Sequence, residues 1–283
     1  MKISLVIPTL NAGAQIENLL SRLSTQDMKP YETIVIDSSS DDATVEVARR
    51  FGAKTVVIPR QTFNHGGTRN TAAREAKGDV LVFMTQDALP VDNALLAHLT
   101  APLAEHDIAG AYGRHIPRHD ASPPEIFARQ FNYPESPVIK SINNLPTDGI
   151  KTFFFSNACS ALKRDAFLKV GMFPEGVKSN EDMLLAARLI LSGHKIAYVP
   201  AARVIHSHAY SLFRLFTRYY NIGSSLKSNK WVLKHARSER EGLRFLKEEF
   251  RFLLNRRQYK WIPYILPEAL AKYTGYRIGL MAG

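Results

Sequence analysis

Short apolar runs alternate with helical patterns near the start of the chain, and this alternation constrains the fold more than any other feature. Runs typical of buried strands cover residues 3–7, 33–36, 54–58 and 80–84. The segments after the first and second runs carry apolar residues at helical spacing. Strands that alternate with helices in this way predict an α/β fold with a doubly wound, mostly parallel sheet and right-handed crossovers.

Polar segments follow three of these runs, at residues 8–11, 37–42 and 85–88. The predicted topology puts them at one edge of the sheet, outside the carboxyl ends of the strands, where ligands of open α/β sheets bind. Asp87 is therefore well placed to hold a divalent cation that carries a phosphorylated ligand. The alternative is that Asp87 caps a helix beginning near Val91. The convergence of three loops favours a functional role for Asp37 and Asp87.

A glycine pair precedes an arginine in the segment Phe-Asn-His-Gly-Gly-Thr-Arg-Asn, at residues 63–70. The two glycines allow close approach of the backbone to a ligand, and a helix is expected to start after them. Arg69 supplies a fork of donors suited to phosphate or carbonyl oxygens. A tight turn with a solvated Arg69 is the alternative. The pattern is neither G-x-G-x-x-G nor a P-loop, so a dinucleotide or ATPase site is not indicated.

Residues 110–152 are rich in proline and histidine and show no clear periodicity. A long irregular segment of this kind inside a domain is often a binding loop or lid. Arg114, His115 and Arg118 are candidates to face an anionic substrate, although a solvated loop is favoured over that role.

Two adjacent acids, Glu181 and Asp182, open a strongly helical run. Acidic residues in a first helical turn are favoured by the helix dipole, so capping is one interpretation. Because an N-cap needs only one oxygen, the other carboxylate remains available as a general base. Further on, His206 and His208 lie two residues apart in an extended segment, so their side chains point the same way at a spacing suited to metal ligation. One of them is expected to be a metal ligand at a strand end, with an ordinary surface pair as the alternative.

The basic excess lies entirely in the last part of the chain. Residues 1–202 hold 21 basic and 21 acidic residues, whereas residues 203–283 hold 16 basic and 5 acidic ones. Within this tail, apolar residues recur at helical spacing between basic ones, at Leu243, Leu246, Phe250 and Leu253. Such a helix can pack on the body of the protein or lie on anionic lipid. No nucleic-acid-binding motif accompanies the charge, so a nucleic-acid partner is not expected.

The composition adds expectations about location. The single cysteine, Cys159, excludes an intramolecular disulfide and suits a reducing cytosol. Met1 leads straight into a strand pattern without signal-peptide features, and no apolar stretch approaches 18 residues. A cytoplasmic protein is expected, with peripheral association at the inner face of the plasma membrane. The sequence does not indicate an oligomeric state.

Six short pieces, in this order, carry a resemblance to a known family. They are Val-Ile-Pro-Thr-Leu-Asn at 6–11, Ile-Asp-Ser-Ser-Ser-Asp-Asp-Ala-Thr at 36–44, the 63–70 segment, Thr-Gln-Asp-Ala at 85–88, Asn-Glu-Asp at 180–182 and His-Ser-His at 206–208. Over roughly residues 2–215 the chain resembles family 2 glycosyltransferases of the GT-A fold. The 63–70 and 85–88 pieces are similar to the bacterial rhamnosyltransferase-like branch.

The resemblance implies a donor site. Its nucleotide-sugar-binding residues would be Pro8, Thr9, Asn11, Asp37, Ser39, His65, Arg69, Thr85 and Gln86. Among these, His65 and Arg69 would line the base or diphosphate side. Asp87 matches the metal-binding second aspartate of the family's Asp-X-Asp motif, and would hold Mg²⁺ or Mn²⁺ together with His206 or, as second choice, His208. The chain departs from that motif at Thr85, a neutral residue that could instead bond the sugar or ribose.

The resemblance also implies an inverting transfer, with Asp182 as catalytic base and Glu181 as its supporting neighbour. The implied donor is dTDP-L-rhamnose and the acceptor a growing, lipid-linked surface polysaccharide. A GT-A catalytic domain would cover residues 1–210, with a Rossmann-like donor half at about 1–110 and an acceptor half at about 111–210. A basic, aromatic, helical region would follow at 211–283.

Two other functions remain open from the sequence. A non-catalytic nucleotide-sugar or glycan-binding module would account for the missing first aspartate of the metal motif. A nucleotidyltransferase is less favoured, because its glycine-rich basic loop is absent after the first strand.

Overall fold

A computed structural model describes residues 1–235 and 239–282 of the chain. Its described part contains one mixed sheet of nine strands in the order β3-β2-β1-β4-β8-β6-β9-β5, with β7 also paired to β9. The strands are β1 (Ile3–Thr9), β2 (Glu32–Asp37), β3 (Lys54–Val57), β4 (Val80–Met84), β5 (Leu89–Pro90), β6 (Ile108–Ile116), β7 (Val138–Lys140), β8 (Cys159–Lys163) and β9 (Lys195–Ile205).

Helices cover both faces of this sheet and continue beyond it. They are α1 (Gly13–Ser24), α2 (Thr44–Arg50), α3 (His65–Glu75), α4 (Leu95–Thr100), α5 (Pro123–Asn132), α6 (Leu145–Asp148), α7 (Arg164–Lys169), α8 (Glu181–Leu191), α9 (Leu212–Ser228), α10 (Trp231–His235), α11 (Glu239–Asn255) and α12 (Ile262–Ala282). Short 3₁₀ turns lie at Arg60–Thr62, Ala101–Ala104, Ile142–Asn144, Gly149–Phe153 and Tyr259–Trp261.

The alternation of side chains along the central strands explains the two-layer core. Leu5 and Ile7 of β1 pack with α1 residues such as Ile16 on one face. Val6, between them, packs on the other face with residues such as Leu184 of α8. Because successive side chains of a strand point to opposite faces, a strand apolar at every position must be covered on both sides. The near-continuous apolar runs therefore predicted the doubly wound arrangement correctly.

The first four strands run parallel, and β8 then reverses direction beside β4. In the β4–β8 pairing Met84 lies opposite Cys159, so the start of β8 meets the end of β4 at the same edge of the sheet. That edge therefore collects the loops after β1, β2 and β4 together with the residues just before β8. It is the edge at which the sequence predicted a ligand site.

Two local predictions were wrong. Residues 110–152 are not one irregular loop, because they complete β6 and contain α5 and β7. Helix α3 begins at His65, before the glycine pair and not after it. In both cases pairing or packing with a distant segment overrides the local pattern. Pairing also carries strand β9 through Pro200 to Ile205, with a shift in its register to β6 between Gly113 and Arg114.

The residues after the sheet form the helices α9 to α12. A methyl group on Gly279 of α12 would overlap the Tyr220 carbonyl oxygen of α9, and one on Gly223 would overlap the Tyr276 carbonyl. The glycines thus allow the two helix backbones to come close together. Helix α11 packs through Phe245 and Phe252 on Phe127 of α5.

The apolar positions singled out in α11 do not share one environment. Leu253 is fully buried, whereas Leu243 and Phe250 are exposed. This helix therefore packs on the body through one face and leaves apolar side chains on another. None of the described helices is both long enough and apolar enough to span a bilayer.

Candidate active site

Asp87, His206 and His208 converge just beyond the ends of β4 and β9. The Nε2 atom of His206 lies 3.5 Å from Asp87 Oδ1, and that of His208 lies 3.4 Å from Asp87 Oδ2. The two Nε2 atoms are 3.1 Å apart. All three residues predicted as metal ligands thus offer a ligand atom within 4.8 Å of one another.

The donor set fits one divalent cation. Two ligands held about 2.1 Å from the same ion, at angles between a right angle and the tetrahedral one, lie about 3.0 to 3.4 Å apart. The observed separations of 3.1, 3.4 and 3.5 Å are close to this range. A carboxylate with two imidazoles is also a common donor combination for transition metals. Capping of a helix by Asp87 is not what the structure shows, because the next helix, α4, begins only at Leu95.

The charge state of the cluster also suits a cation. Burial by itself would raise the pKa of Asp87, but its contacts with His206, Thr85 and His208 outweigh burial and hold that pKa well below the usual range. Burial and the neighbouring His206 lower the pKa of His208 to about 4. An ionised carboxylate beside a neutral imidazole is the form in which both ligate metal.

A buried histidine supports the cluster from behind. His115 of β6 stacks on Tyr133, with ring centroids 4.1 Å apart, and meets the edge of His206 at 4.9 Å. From the sequence, His115 was expected to lie in a solvated loop or, alternatively, to face an anionic substrate. The structure instead buries it, because β6 extends to Ile116 and carries the side chain inward.

Asp182 lies in the first turn of α8 at the same edge of the sheet. Its Oδ2 accepts a hydrogen bond from the Asn157 backbone N–H at 3.3 Å, and its Oδ1 one from the Met183 N–H at 2.8 Å. Burial, and then the adjacent charge of Glu181, raise the pKa of Asp182 to about 7. A carboxylate with such a pKa can take up a proton near neutral pH.

Two partners, Asn157 and Arg69, hold the Glu181 carboxylate. Its Oε1 accepts from Asn157 Nδ2 at 3.3 Å and lies 3.7 Å from Arg69 Nη1. Arg69 is 3% exposed and also donates to the His65 carbonyl at 2.8 Å. The Arg69 guanidinium, which was expected to face a phosphate, is therefore a buried counter-ion of Glu181. Its burial also excludes the alternative of a solvated Arg69.

The glycine pair before Arg69 has a packing role. A methyl group on Gly66 would overlap the Pro174 carbonyl oxygen, and one on Gly67 would lie 2.7 Å from Asn64 Nδ2. Asn64 caps α3 by accepting from the Gly67 N–H. The close approach that the glycines allow is therefore to neighbouring protein, where a ligand was expected.

Several predicted nucleotide-binding residues form one hydrogen-bonded loop system. Asp37 is fully buried and accepts from Thr9 Oγ1 at 2.8 Å and from the Ser40 hydroxyl at 2.6 Å and N–H at 2.8 Å. Asn11, with φ of 48°, accepts from the Asp41 N–H at 2.9 Å. The Asp37 side chain thus ties the loops after β1 and β2 together.

The remaining predicted donor residues border this system. Gln86 accepts from the Leu10 N–H at 2.9 Å, Ser39 donates to the Ile58 carbonyl at 2.8 Å, and Pro8 lies one residue before the end of β1. The Gln86 contact joins the loop that leads into Asp87 to the loop after β1.

Two hydrogen bonds connect the Asp87 cluster with Asp182. The Thr85 N–H donates to the Ala158 carbonyl at 3.3 Å, and the next residue back, Asn157, donates to Asp182. The proposed metal ligand Asp87 and the proposed base Asp182 are therefore linked through the residues just before β8, at one edge of the sheet. Tyr210 lies beside the cluster, with its ring 5.5 Å from that of His208, and Arg218 donates to the Tyr210 hydroxyl at 3.2 Å.

Two cavities border this region. One of about 390 Å³ is lined by residues that include Gln15, Gln86, Asp87, Arg118 and His208. The other, of about 360 Å³, is lined by residues that include His65, Lys178, Tyr210, Arg214 and Arg218. Of the side chains in the second cavity, the sequence pointed only to His65, because its other walls come from α9 and from the loop before α8.

A Rossmann-like parallel half, an acid–histidine cluster at its strand ends and a neighbouring carboxylate together define a glycosyltransferase of the GT-A class. The chain belongs to glycosyl transferase family 2, whose profile matches residues 4–171. The resemblance seen in the sequence is thereby confirmed.

Two O-antigen chain rhamnosyltransferases are similar to the chain over nearly its full length. It is 40% identical over 279 residues to the O-antigen chain rhamnosyltransferase WbaN of Salmonella anatum, which covers 98% of this chain and 88% of the relative. It is 39% identical over 282 residues to the O-antigen chain rhamnosyltransferase RfbN of Salmonella typhimurium, with coverage of 99% and 90%.

Solved structures support the fold. The mannosyltransferase PcManGT of Pyrobaculum calidifontis, in complex with GDP-Man and Mn²⁺, has a TM-score of 0.61 at 17% identity and covers 100% of this chain and 76% of its own. Residues 1–349 of S. aureus TarS have a TM-score of 0.60 at 18% identity, with coverage of 100% and 91%. At these identities the likeness shows the GT-A fold alone.

Proposed function

We propose that the chain transfers an L-rhamnosyl unit from dTDP-L-rhamnose to a hydroxyl group of a growing, lipid-linked surface polysaccharide, with inversion at the anomeric carbon. The observation that carries this choice of substrates is the nearly full-length similarity to two O-antigen chain rhamnosyltransferases. The convergence of Asp87, His206 and His208 beside Asp182 supports the reaction class.

The metal proposal rests on the donor set. Asp87, His206 and His208 would hold the ion, and two imidazoles among three ligands favour Mn²⁺ over Mg²⁺, which prefers oxygen. When bound, the ion supplies positive charge that stabilises the departing nucleoside diphosphate. The loops organised by Asp37 would hold the nucleoside, with Pro8, Thr9, Asn11, Ser39, Thr85 and Gln86 at that edge.

The base proposal rests on the surroundings of Asp182. Its carboxylate would take the proton from the acceptor hydroxyl as that oxygen attacks the anomeric carbon. Two backbone N–H groups fix its orientation, while burial and then Glu181 raise its pKa to about 7. Arg69 neutralises Glu181, so that the two adjacent acids can share one helix start. Since the mechanism has a single displacement, it needs no second carboxylate as nucleophile.

The tail proposal is association with the inner face of the plasma membrane. Helix α12 exposes Leu266, Leu270, Tyr273 and Met281 along one side, opposite the glycines that pack on α9. Residues 203–283, which include α12, carry the whole basic excess of the chain. An apolar face flanked by basic residues binds anionic bilayers, with about 1 kcal/mol for each basic residue near the surface. Such docking would bring the active site to a lipid-linked acceptor.

A donor panel tests the proposed reaction. The purified chain is incubated with Mn²⁺, a lipid-linked glycan acceptor and, separately, dTDP-L-rhamnose, UDP-GlcNAc or GDP-mannose. We expect a product heavier by one deoxyhexose only with dTDP-L-rhamnose, and anomeric inversion in its NMR spectrum. Preference for another donor would refute the rhamnosyl assignment, and retention of configuration would refute the role of Asp182.

A further inference from the structure

The 360 Å³ cavity beside Asp182 has a charge pattern that the transfer reaction does not explain. We call it the cationic groove, and its lining consists of His65, Lys178, Ser179, Tyr210, Phe213, Arg214, Thr217, Arg218 and Asn221. Lys178 and Ser179 immediately precede the Asn180 cap of α8, so the groove ends where the helix of the proposed base begins. Its opposite wall is the first three turns of α9.

The cations of the groove have no acidic partner in the part of the chain that the structure describes. No aspartate or glutamate lines the groove, and neither Lys178 nor the Arg214 side chain forms an ion pair with the side chains described at residues 1–235 and 242–282. Arg218 donates only to the Tyr210 hydroxyl within the same part of the chain. Three positive charges that share one concave surface repel one another, and an anion bound among them relieves that repulsion.

The groove also has an apolar mouth. Phe213 is 77% exposed and lies next to Arg214 at the start of α9. A ligand with a phosphate at one end and hydrocarbon at the other would satisfy both features, because the phosphate would bond to arginine and lysine while the chain covers the phenyl ring. A free sugar hydroxyl or an uncharged glycan would leave the three cations without an anion.

We propose that the cationic groove binds the phosphate or diphosphate group that joins the acceptor glycan to its lipid carrier. This inference rests on the proposed function, since it takes the acceptor to be lipid-linked. The groove reaches Ser179, three residues before Asp182, the proposed acceptor of the attacking hydroxyl's proton, whereas a cation held by the Asp87 cluster would neutralise the donor's diphosphate. Lys178, Arg214 and Arg218 would then place the first sugars of the acceptor toward the base.

Titration calorimetry with a short prenyl diphosphate tests the groove without any turnover. Farnesyl diphosphate is titrated into the wild-type chain and into Lys178→Ala, Arg214→Ala and Arg218→Ala. We expect each substitution to weaken binding roughly tenfold, because each removes one charge-assisted hydrogen bond. Farnesol, which lacks the phosphates, should bind far more weakly than farnesyl diphosphate, and inorganic pyrophosphate should bind with an affinity between the two.

Two controls separate the possible sources of the phosphate. Lys230→Ala removes an exposed cation just beyond the other end of α9, roughly 24 Å along the helix from Arg214, and should leave the affinity for farnesyl diphosphate within twofold of wild type. In parallel, dTDP with Mn²⁺ should bind all four variants as it binds the wild type. A loss of dTDP affinity in the groove variants would assign the groove to the donor and overturn the inference.

Equal binding of farnesyl diphosphate to the wild type and to the groove variants would also overturn the inference that the groove binds the acceptor's phosphate group. The donor panel described above decides the proposed function separately. A chain that binds the prenyl diphosphate through the groove but transfers no sugar would refute only that function.

Discussion

The Nε2 atoms of His206 and His208 lie 3.1 Å apart, although the two residues are separated along the chain only by Ser207. This closeness results from the extended backbone after β9, in which alternate side chains point to the same side. Asp87 enters from β4 and faces both rings. Three ligand atoms are thus held by two strand ends of one sheet, which is a rigid base for a metal site.

Removing one ligand should abolish most of the metal affinity. We expect Asp87→Asn and His208→Ala to weaken Mn²⁺ binding about 100-fold or more, since even loss of an outer partner of a metal ligand costs 10- to 100-fold. Calorimetric titration of Mn²⁺ in the presence of dTDP measures this directly. His106→Ala removes an exposed histidine just before β6, at that strand's far end from the cluster, and should leave Mn²⁺ binding unchanged. Unchanged affinity in both ligand variants would refute the site.

Replacing the proposed base should reduce turnover without loss of donor binding. We expect Asp182→Asn to lower kcat by 10²- to 10⁴-fold, the usual contribution of general-base catalysis. The affinity for dTDP with Mn²⁺ should remain within a factor of about two, because Asp182 bonds only to the Asn157 and Met183 backbone. Asp165→Asn, in the exposed first turn of α7, is the matched control and should keep full activity.

The pH dependence of the reaction should follow the ionisation of Asp182. Only its carboxylate form accepts a proton, and its pKa is raised to about 7 by burial and Glu181. We therefore expect kcat/KM to rise with pH below about 7 and to level off above it. Glu181→Gln removes a neighbouring negative charge and leaves the positive charge of Arg69, so it should move the midpoint to lower pH. A midpoint near 4 in the wild type would contradict this account.

The raised pKa of Asp182 also makes the free energy of unfolding depend on pH. Because the folded-state pKa of Asp182 lies above the ordinary value of 3.8, ionisation is harder in the folded chain than in the unfolded one. The contribution of this group to the free energy of unfolding is therefore fully present below about pH 4 and is lost as the pH rises through about 7. Chemical denaturation of wild type and Asp182→Asn should be measured across this pH range. The difference between their free energies of unfolding should become smaller as the pH falls.

The parallel half of the fold and the approach of Asp87, His206 and His208 to one another could be predicted from the sequence because their signals are local. The β4 strand is apolar at all five positions and ends directly before the loop of Asp87. His206 and His208 share a side through the two-residue period of an extended segment. Asp182 was singled out as a candidate base because it lies at the start of a predicted helix. In the structure that helix begins at Glu181.

The parts that were missed depend on contacts between distant residues. Strand β6 contains Gly110 and Gly113 and becomes a strand by pairing with β8 and β9, each about 50 or more residues further along the chain. Gly66 was expected to allow the approach of a ligand because its packing partner, Pro174, lies over 100 residues further along the chain. Asn157, which bonds both Glu181 and Asp182, carries no sequence signal that would single it out.

The packing of α9 against α12 should depend on the absence of side chains at their contact. We expect Gly279→Ala to lower the free energy of unfolding by about 1 to 3 kcal/mol, because the added methyl group meets the Tyr220 carbonyl oxygen, which belongs to a helix backbone and cannot move aside easily. Gly242→Ala in α11 is the matched control, since no atom lies within 4 Å of its added methyl group. This control should raise stability by about 0.5 to 1 kcal/mol through the better helix propensity of alanine. Urea denaturation of both variants measures the difference, and equal stability of Gly279→Ala and wild type would show that the two helices are not held at the distance described.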